Sequence, residues 1–591
     1  MASTSAFSRH VHRSPELEGE NEAIEMKNTA GLQVSQYAAN EQQNQDLRAP
    51  LDSHAMEETG STDAAAAHDQ RDMRRLGKKQ EFQRNFTFLS ALGFVSVYMA
   101  TWEFVLVSLA VGFANGGFAG LFWCYVMTVV CYSAIVASLA EMESMAPTSG
   151  GQYHWVSEFA PPRYQRILSY AAGWMSTLGW LASVASSNFV VATQVQAMIQ
   201  VRQSDFVFQD WQYVLLMIAF VGITIVFNTW AARTLPALET VSLVGHLAGF
   251  LVVLIPLWVL CPKASAAETF TSFEWSGGWA PGPAFLVSQV TVMYCCLGSD
   301  SVVHISEEVE DASLTVPRCM WYSYIGNVLL GLVMLITMLF CIGPLDAVVS
   351  LSPHTGPFLP TPTDPPQLTQ EIVTQLKSEV PYLLLFNATG STRVSLVLNA
   401  ILLILIYAGN ITALATCARE TWAFARDHGL PFSHYLGHLH SDLQTPFHAV
   451  YATSAACVLL SFLNFGSALA FNIVVSISLL GLLSTYLLSI GCVLLKRVQG
   501  QPLPPARWSL GRYGLVVNGF AFCYSAFIII FCCFPSYRPV TAASANYGPL
   551  VWVAVMMIAV IVYMVHGRQH YTAPVEFVDG RKEVGVGLQS S

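Results

Sequence analysis

The chain has 591 residues, of which 53% are apolar and only 11% are charged, and its formal net charge is −10. A soluble domain carries roughly 25% charged residues, so this composition cannot build a water-facing surface over most of the chain. It excludes a soluble enzyme or binding module and indicates a membrane protein.

The beginning of the chain differs from the rest. Residues 1–70 are acidic and rich in Ser, Gln, Asn and Ala. Such a segment buries too little apolar area to offset the entropy cost of ordering it. We therefore expect a disordered cytosolic tail at residues 1–80, a transmembrane transporter domain at 81–570 and a cytosolic C-terminal tail at 571–591.

Apolar runs of about 20 residues, each long enough to cross a bilayer, recur from Phe88 almost to the end of the chain. They predict an all-α polytopic membrane protein with about twelve transmembrane helices. In chain order, the predicted spans are 87–113, 117–140, 168–194, 211–230, 236–261, 283–303, 319–343, 394–417, 446–465, 468–495, 513–534 and 548–566.

The distribution of Lys and Arg predicts the orientation. The segment before span 1 is basic, and most other Lys and Arg near span ends fall on the same side of the predicted bundle. Positive residues near span ends resist translocation, so this side and both termini are predicted to be cytosolic. Asn387-Ala-Thr falls in the long outer loop between spans 7 and 8 and is a candidate glycosylation site.

No metal or cofactor site is predicted. The 13 cysteines lie almost entirely within apolar runs and lack the spacing of metal ligands, so we interpret them as packing residues. The chain also lacks the phosphate-binding loop G-x-x-x-x-G-K-[ST], which disfavours direct use of ATP.

Two predicted spans are interrupted by polar residues. In chain order, these residues are Thr101, Trp102 and Glu103 in span 1, then Gly298, Ser299, Asp300 and Ser301 in span 6. An intramembrane carboxylate costs about 2.5 to 3.5 kcal/mol, so Asp300 needs a compensating partner. The alternative is that span 6 ends early and leaves Asp300 in a cytosolic loop.

The two interruptions occupy matching places, in the first span of each of two successive groups of five. Paired interruptions of this kind predict an inverted-repeat transporter, whose site forms where two helices unwind. Half-helix N-termini offer N–H groups to a substrate carboxylate, and acidic side chains can receive an ammonium or a proton. On this interpretation, Gly298 allows the helix to break, and Asp300 interacts with the solute or proton that binds at the break.

Three blocks of sequence carry a resemblance to a known family. They are EMESMAPTSGGQYHWVSEFAP (141–161), HISEEVEDASLTVPRCM (304–320) and WAFARDHGLPFS (422–433). Their order and content resemble the fungal amino acid and choline permeases, including γ-aminobutyrate permeases, of the amino acid–polyamine–organocation superfamily. The resemblance implies a five-plus-five inverted repeat of the leucine-transporter type, with spans 11 and 12 outside it. It also implies that spans 1, 2, 6 and 7 rock against spans 3, 4, 8 and 9.

By position, the resemblance implies substrate contacts at both breaks. The implied residues are Ala100, Thr101 and Trp102 in span 1, Leu297, Gly298, Ser299 and Asp300 in span 6, and Tyr294 as an aromatic gate. Many relatives have a Gly-rich triplet where this chain has Ala-Thr-Trp. The loop motif with Pro147, Gly150 and Gly151 is expected to shape the inner gate.

Further candidates each have a plain structural interpretation. Glu103 is either a proton acceptor or substrate clamp, or a carboxylate that neighbouring spans hydrogen-bond. His246 is a candidate for proton coupling, as is Asp300, although a single His among apolar residues is more often a neutral packing group. Asn410 either contacts substrate or holds helices together.

An acidic run follows span 6, at Glu307, Glu308, Glu310 and Asp311. Its simplest interpretation is a solvated cytosolic face. The alternative is a gating salt bridge to one of three basic residues, Arg163, Arg166 or Arg419.

Together these features predict a plasma-membrane secondary transporter that imports an amino acid, γ-aminobutyrate or a choline-like compound. The expected coupling ion is H⁺, with Na⁺ as the less favoured choice, and no nucleic-acid partner is expected. The alternative from another class is a nutrient sensor of the same fold that transports weakly or not at all. An enzyme is disfavoured because the broken spans offer no paired catalytic His and nucleophile.

Overall fold

The computed structural model describes residues 61–342, 381–462 and 470–575, apart from 204, 205, 207, 208, 543 and 544. Within these residues the chain is almost entirely helical, and an isolated parallel β-bridge pairs Phe86 with Val309. This architecture suits the composition, because a helix pairs the backbone groups of an apolar run within the run itself.

Eleven helices in the described part of the chain are long and apolar enough to cross a membrane. They are Phe88–Ser108, Gly117–Met145, Gln165–Arg202, Asp210–Asn228, Ala232–Leu260, Pro281–Glu308, Ala312–Cys341, Thr392–Arg426, Phe471–Val498, Gly511–Cys532 and Gly548–His570. A shorter apolar helix, Phe447–Ser461, stands where span 9 was predicted. The predicted plan of about twelve helices is therefore confirmed, and the span numbers are kept below.

Both predicted interruptions are present. Span 1 consists of helices Phe88–Met99 and Thr101–Ser108, which are separated by Ala100 in the left-handed region at φ 41°. Span 6 consists of helix Pro281–Cys296 and the 3₁₀ helix Ser301–Glu308. The break in span 1 is thus one residue wide, whereas the break in span 6 leaves four residues outside regular helix.

The interrupted spans lie inside the bundle. Spans 1 and 6 are 94% and 89% buried over their most apolar windows, whereas span 12 is 11% buried. Span 2 packs against span 7, and span 3 packs against spans 8 and 10. The two breaks are therefore surrounded by protein, which is the condition under which irregular backbone is tolerated at membrane depth.

The described part of the chain begins earlier than the predicted membrane domain. Helix Ser61–Arg75 lies within the expected tail, and we call residues 65–86 the N-terminal arm. Asp69 accepts hydrogen bonds from the backbone N–H groups of Asp311 (2.9 Å) and Ala312 (3.0 Å). The expected disorder is therefore wrong for this stretch, and residues 1–60 lie outside the described residues.

Two causes order the N-terminal arm. Met73, Leu76 and Phe82 are buried, so the arm contributes apolar area that the average composition of the tail conceals. In addition, Arg84 donates to the backbone carbonyl oxygens of Ser306 (3.1 Å) and Val309, after the break of span 6. The arm is thus tied to the chain between spans 6 and 7.

The C-terminal tail also begins later than the predicted boundary at residue 571. Tyr571 and Ala573 are fully buried, and the Tyr571 hydroxyl lies 2.6 Å from the Ser169 hydroxyl in span 3. Arg166 donates to the backbone carbonyl of Tyr571 at 2.6 Å. Residues 571–575 therefore pack on the bundle instead of starting a tail, and residues 576–591 lie outside the described residues.

Candidate substrate and proton site

The break in span 1 is capped by a residue from span 7. Ala100 still donates its N–H to the carbonyl of Ser96 (3.0 Å), but the N–H of Thr101 donates to the Asn327 side-chain oxygen at 3.2 Å. Asn327 is held by its own Nδ2, which donates to the Ser323 carbonyl at 3.0 Å. Span 7 therefore supplies the acceptor that span 1 loses at its break.

The break in span 6 lies against span 1. Gly298 has φ 98°, and a Cβ at this position would come within 1.9 Å of the Tyr98 ring. The Tyr98 hydroxyl lies 2.5 Å from the Ser183 hydroxyl of span 3. The two interruptions therefore contact each other through an aromatic ring that a side chain at residue 298 would displace.

Asp300 is fully buried, so the alternative that leaves it in a cytosolic loop is wrong. Its two oxygens accept hydrogen bonds from the Gln152 amide (2.5 Å) and from the Tyr486 hydroxyl (2.8 Å). Both partners are neutral, and Gln152 follows the Gly-rich loop after span 2, where Gly151 has φ 52°. The loop motif thus reaches the break of span 6 and holds its carboxylate.

Glu103 and His246 form a close pair at the other break. Glu103 Oε1 lies 2.7 Å from His246 Nδ1, and the indole nitrogen of Trp102 lies 3.2 Å from the same Nδ1. Both side chains are buried, and Glu103 Oε2 and His246 Nε2 have no hydrogen-bond partner among the described residues. Because Nδ1 holds either a proton or a lone pair, it can serve only one of these two neighbours at a time.

The expected gate residue Tyr294 is buried in an aromatic cluster. Its ring packs edge-on against Phe104 and Phe471 at 5.3 and 5.8 Å between ring centroids, and its hydroxyl donates to Ser186 at 2.8 Å. Phe471 also lines a small pocket, together with Val107, Phe189, Val190, Thr193, Gln194 and Tyr382. The cluster therefore contributes to the wall of an apolar pocket.

The remaining candidates lie at or near the breaks. Leu297 and Ser299 are buried in the unwound part of span 6. The side-chain oxygens of Thr101, Ser301 and Asn410 are buried and have no hydrogen-bond partner among the described residues. These oxygens are polar groups that a bound zwitterion or amine could satisfy.

The acidic run after span 6 is a solvated face only at its end, where Glu310 is exposed and the half-buried Asp311 pairs with Arg507. Glu307 and Glu308 are buried. Arg426 donates to both oxygens of Glu307 (3.0 and 2.9 Å), and Arg419 makes a two-point contact with Glu308. Of the three cations considered as gate partners, Arg419 is the one that makes this contact. Span 8 is therefore tied to the end of span 6 by two buried ion pairs.

A third ion pair joins the N-terminal arm to span 8. Lys78 lies 2.5 Å from the Asp427 carboxylate, whose other oxygen accepts a hydrogen bond from Tyr153 at 3.0 Å. Burial lowers the pKa of the Lys78 ammonium, and the Asp427 carboxylate opposes this shift. At the other end of the arm, burial raises the pKa of Asp69, while Arg84 acts in the opposite direction.

Sequence reasoning missed several partners of these residues, namely Asn327, Gln152 and Tyr486. The sequence does carry a signal for Asn327, because it is a lone amide in the apolar run of span 7.

Among the described residues, no group of three or more His, Cys, Asp or Glu side chains is placed to hold a metal ion. The glycosylation candidate Asn387 ends helix Pro381–Asn387, where its side-chain oxygen accepts from Ser395 at 3.0 Å.

Comparison with known proteins identifies the family of this chain. The family described as amino acid permease matches residues 86–559. An uncharacterized amino-acid permease of Schizosaccharomyces pombe is 27% identical over 88% of this chain and 92% of its own length. Amino-acid permease 2 of Neurospora crassa is 26% identical, over 89% and 92% respectively. The choline transporter of Saccharomyces cerevisiae is 25% identical, over 93% and 92%.

The family match covers both interrupted spans and the helices packed around them. It confirms the resemblance that the three sequence blocks carry, and it makes the chain a multi-pass membrane transporter of amino compounds. The chain belongs to the amino acid permease family.

Proposed function

We propose that this protein is a proton-coupled secondary transporter that imports a small amino compound across the plasma membrane by alternating access. The observation that carries the proposal is the buried Glu103–His246 pair beside the break in span 1. A carboxyl and an imidazole in contact can share a proton and pass it on.

The pair connects proton occupancy to the break through Trp102. When Nδ1 of His246 carries a hydrogen, it donates to Glu103 and the indole N–H of Trp102 loses its acceptor. When Nδ1 is unprotonated, the indole N–H can donate to it. A change in whether Nδ1 carries the proton would therefore change a contact of Trp102, which lies two positions from Ala100.

The substrate class follows from the polar groups at the breaks. Among the described residues, the side-chain oxygens of Thr101, Ser301 and Asn410 have no hydrogen-bond partner, and the second half of span 1 begins at the break. A helix N-terminus favours a carboxylate, and hydroxyl or amide oxygens accept from an ammonium. This set favours a zwitterionic amino acid or γ-aminobutyrate over choline, which has no carboxylate.

Alternating access is supported by the ion pairs of Glu307 and Glu308 with span 8. They lie on the side of the bundle that carries the N-terminal arm, and opening that side requires both pairs to separate. The basic residues before span 1 favour this side as the cytosolic one. Epitope tags at the two termini, probed in intact and permeabilised cells, would test the orientation.

The function is tested by uptake into proteoliposomes under an imposed pH gradient. A competition panel of labelled amino acids, γ-aminobutyrate, choline and polyamines identifies the substrate. Acidification outside should stimulate uptake by the wild type, and replacing Na⁺ with K⁺ should leave it unchanged. Glu103→Gln should transport at a rate that no longer depends on the pH gradient.

Three outcomes would contradict the proposal. Wild-type uptake that survives collapse of both the pH gradient and the membrane potential excludes proton coupling. A requirement for Na⁺ would make Na⁺ the coupling ion instead of H⁺. Binding of a panel compound without flux favours a sensor of the same fold.

A further inference from the structure

Span 5 carries a second buried carboxyl, Glu239, on the same face as His246. The buried side chains of this helix recur at every third or fourth position, and three of them are polar: Glu239, Ser242 and His246. The opposite face is apolar and exposed, as at Val241 and Val244 (68% and 65% exposed). A polar stripe therefore faces the protein along an otherwise apolar helix.

Glu239 is only partly satisfied where it lies. Its Oε1 accepts a hydrogen bond from the Thr412 hydroxyl of span 8 at 2.8 Å, whereas its Oε2 is buried without a partner among the described residues. Span 1 packs tightly here, because a Cβ at Gly93 would come 2.5 Å from the Glu239 carbonyl oxygen. The cation that faces Glu239 from span 8 is Arg419, which is already paired with Glu308. Glu239 is thus a buried carboxyl that has no ion-pair partner of its own in the described part of the chain.

The stripe leads from the Glu103–His246 pair toward the side that carries the N-terminal arm. His246 and Glu239 are seven residues apart, or about 10.5 Å along the helix axis, and Ser242 lies between them. Glu239 lies one turn from Leu235, where the helix begins. His246 Nε2, the ring nitrogen that does not contact Glu103, has no partner among the described residues.

We propose that Glu239 is the proton-release station of this transporter, which receives the proton of the Glu103–His246 pair and passes it to water on the N-terminal side. The step is a proton transfer only: the N–H bond at His246 Nε2 breaks and an O–H bond forms at Glu239 Oε2. The Ser242 hydroxyl and water carry the proton across the gap, which is too long for direct transfer. The inference rests on the proposed proton coupling and adds a residue that this coupling did not include.

The test compares two assays in proteoliposomes of the full chain. Net uptake is driven by a pH gradient, and exchange is measured at equal pH between labelled compound outside and unlabelled compound inside. The probe is a mixture of carbon-14-labelled amino acids with γ-aminobutyrate and choline. Exchange completes its cycle without releasing the coupled proton, whereas net uptake must release it.

Glu239→Gln keeps an acceptor for Thr412 but cannot carry the proton. It should reduce net uptake by about tenfold or more while leaving exchange close to the wild-type rate. Glu239→Asp, which keeps a titratable carboxyl, should restore net uptake at least in part. Glu420→Gln is the matched control, because Glu420 is also buried and accepts one hydroxyl, that of Thr177 at 3.1 Å, but lies on span 8 away from the stripe. It should keep both activities.

Three results would overturn the inference. Wild-type net uptake by Glu239→Gln would remove Glu239 from the proton route. Parallel loss of exchange and net uptake would make Glu239 a structural residue. If the wild type itself takes up no probe in response to the pH gradient, the proposed coupling fails, and the release step fails with it.

Discussion

The ring of Tyr98 lies directly against the backbone of Gly298, where an added Cβ would come 1.9 Å from Cε1 of the ring. Tyr98 precedes the break of span 1 by two residues, and Gly298 lies within the break of span 6. The two interruptions are therefore one packed unit, and a change in one is transmitted to the other by contact.

Gly298→Ala should abolish uptake. Alanine at φ 98° is strained by about 1 to 3 kcal/mol, and its methyl group must also displace the Tyr98 ring. Uptake and surface expression are measured together. Gly326→Ala is the control, because a Cβ at that helical position of span 7 meets nothing within 4 Å. Equal uptake by the two variants would contradict the close contact.

Asn327→Ala should impair transport more than it lowers stability. It leaves the N–H of Thr101 buried without an acceptor, which costs about 1 to 3 kcal/mol. Asn518→Ala removes a comparable buried amide, which donates to Ser138 at 2.9 Å away from the breaks. Thermal unfolding and uptake are compared for both. Loss of uptake in proportion to stability in both variants would show that Asn327 has no special role.

Asp300→Asn should strongly reduce uptake while leaving surface expression intact. The carboxylate accepts from Gln152 and Tyr486 on separate oxygens, but an amide offers one oxygen and turns an NH₂ group toward the other donor. Tyr486→Phe keeps the carboxylate and removes one donor, so its uptake should be intermediate. Normal uptake by Asp300→Asn at two pH values would exclude Asp300 from the mechanism.

Arg419→Ala should destabilise the protein by about 3 to 5 kcal/mol, because it leaves the Glu308 carboxylate buried and unpaired. Arg507→Ala breaks the pair with Asp311, whose side chains are 33% and 22% exposed, and should cost about 1 kcal/mol or less. Thermal unfolding in detergent measures both. Similar shifts would mean that burial does not distinguish the two pairs.

Lys78 should make stability rise with pH in the alkaline range. Its pKa is ordinarily 10.5 and is lowered by burial, with Asp427 and Glu307 opposing the shift and Arg426 adding to it. Between the lowered pKa and 10.5, the unfolded chain binds a proton that the folded protein does not, so the free energy of unfolding increases with pH. The melting temperature of the wild type relative to Lys78→Gln should increase across that window. Parallel melting curves would contradict it.

The breaks could be predicted from the sequence because their signal is local. A glycine and an aspartate inside an apolar run are visible without knowledge of neighbours, and a matching interruption in span 1 supports the same interpretation. The partners could not be predicted this way. Asn327 is 226 residues from Thr101, and Tyr486 is 186 residues from Asp300, so their contacts depend on how the helices are rotated against each other.

The burial of charged residues near the ends of spans was harder to predict from the sequence than the breaks. Glu307 and Glu308 stand together in the sequence and resemble a solvated face, because their partners Arg426 and Arg419 lie more than a hundred residues away. Glu239 was not singled out for a related reason. It lies near the start of a predicted span, where a charged residue is ordinary.

The N-terminal arm sets a limit on how far this protein can be shortened. Removing residues 1–60 takes away none of the described contacts, whereas a deletion that extends to residue 80 removes Asp69 from the start of span 7 and Lys78 from Asp427. A shortened protein of the second kind would expose an aspartate and two backbone N–H groups at the mouth of the bundle. The transport rate of such a shortened protein could therefore not be compared with that of the full chain.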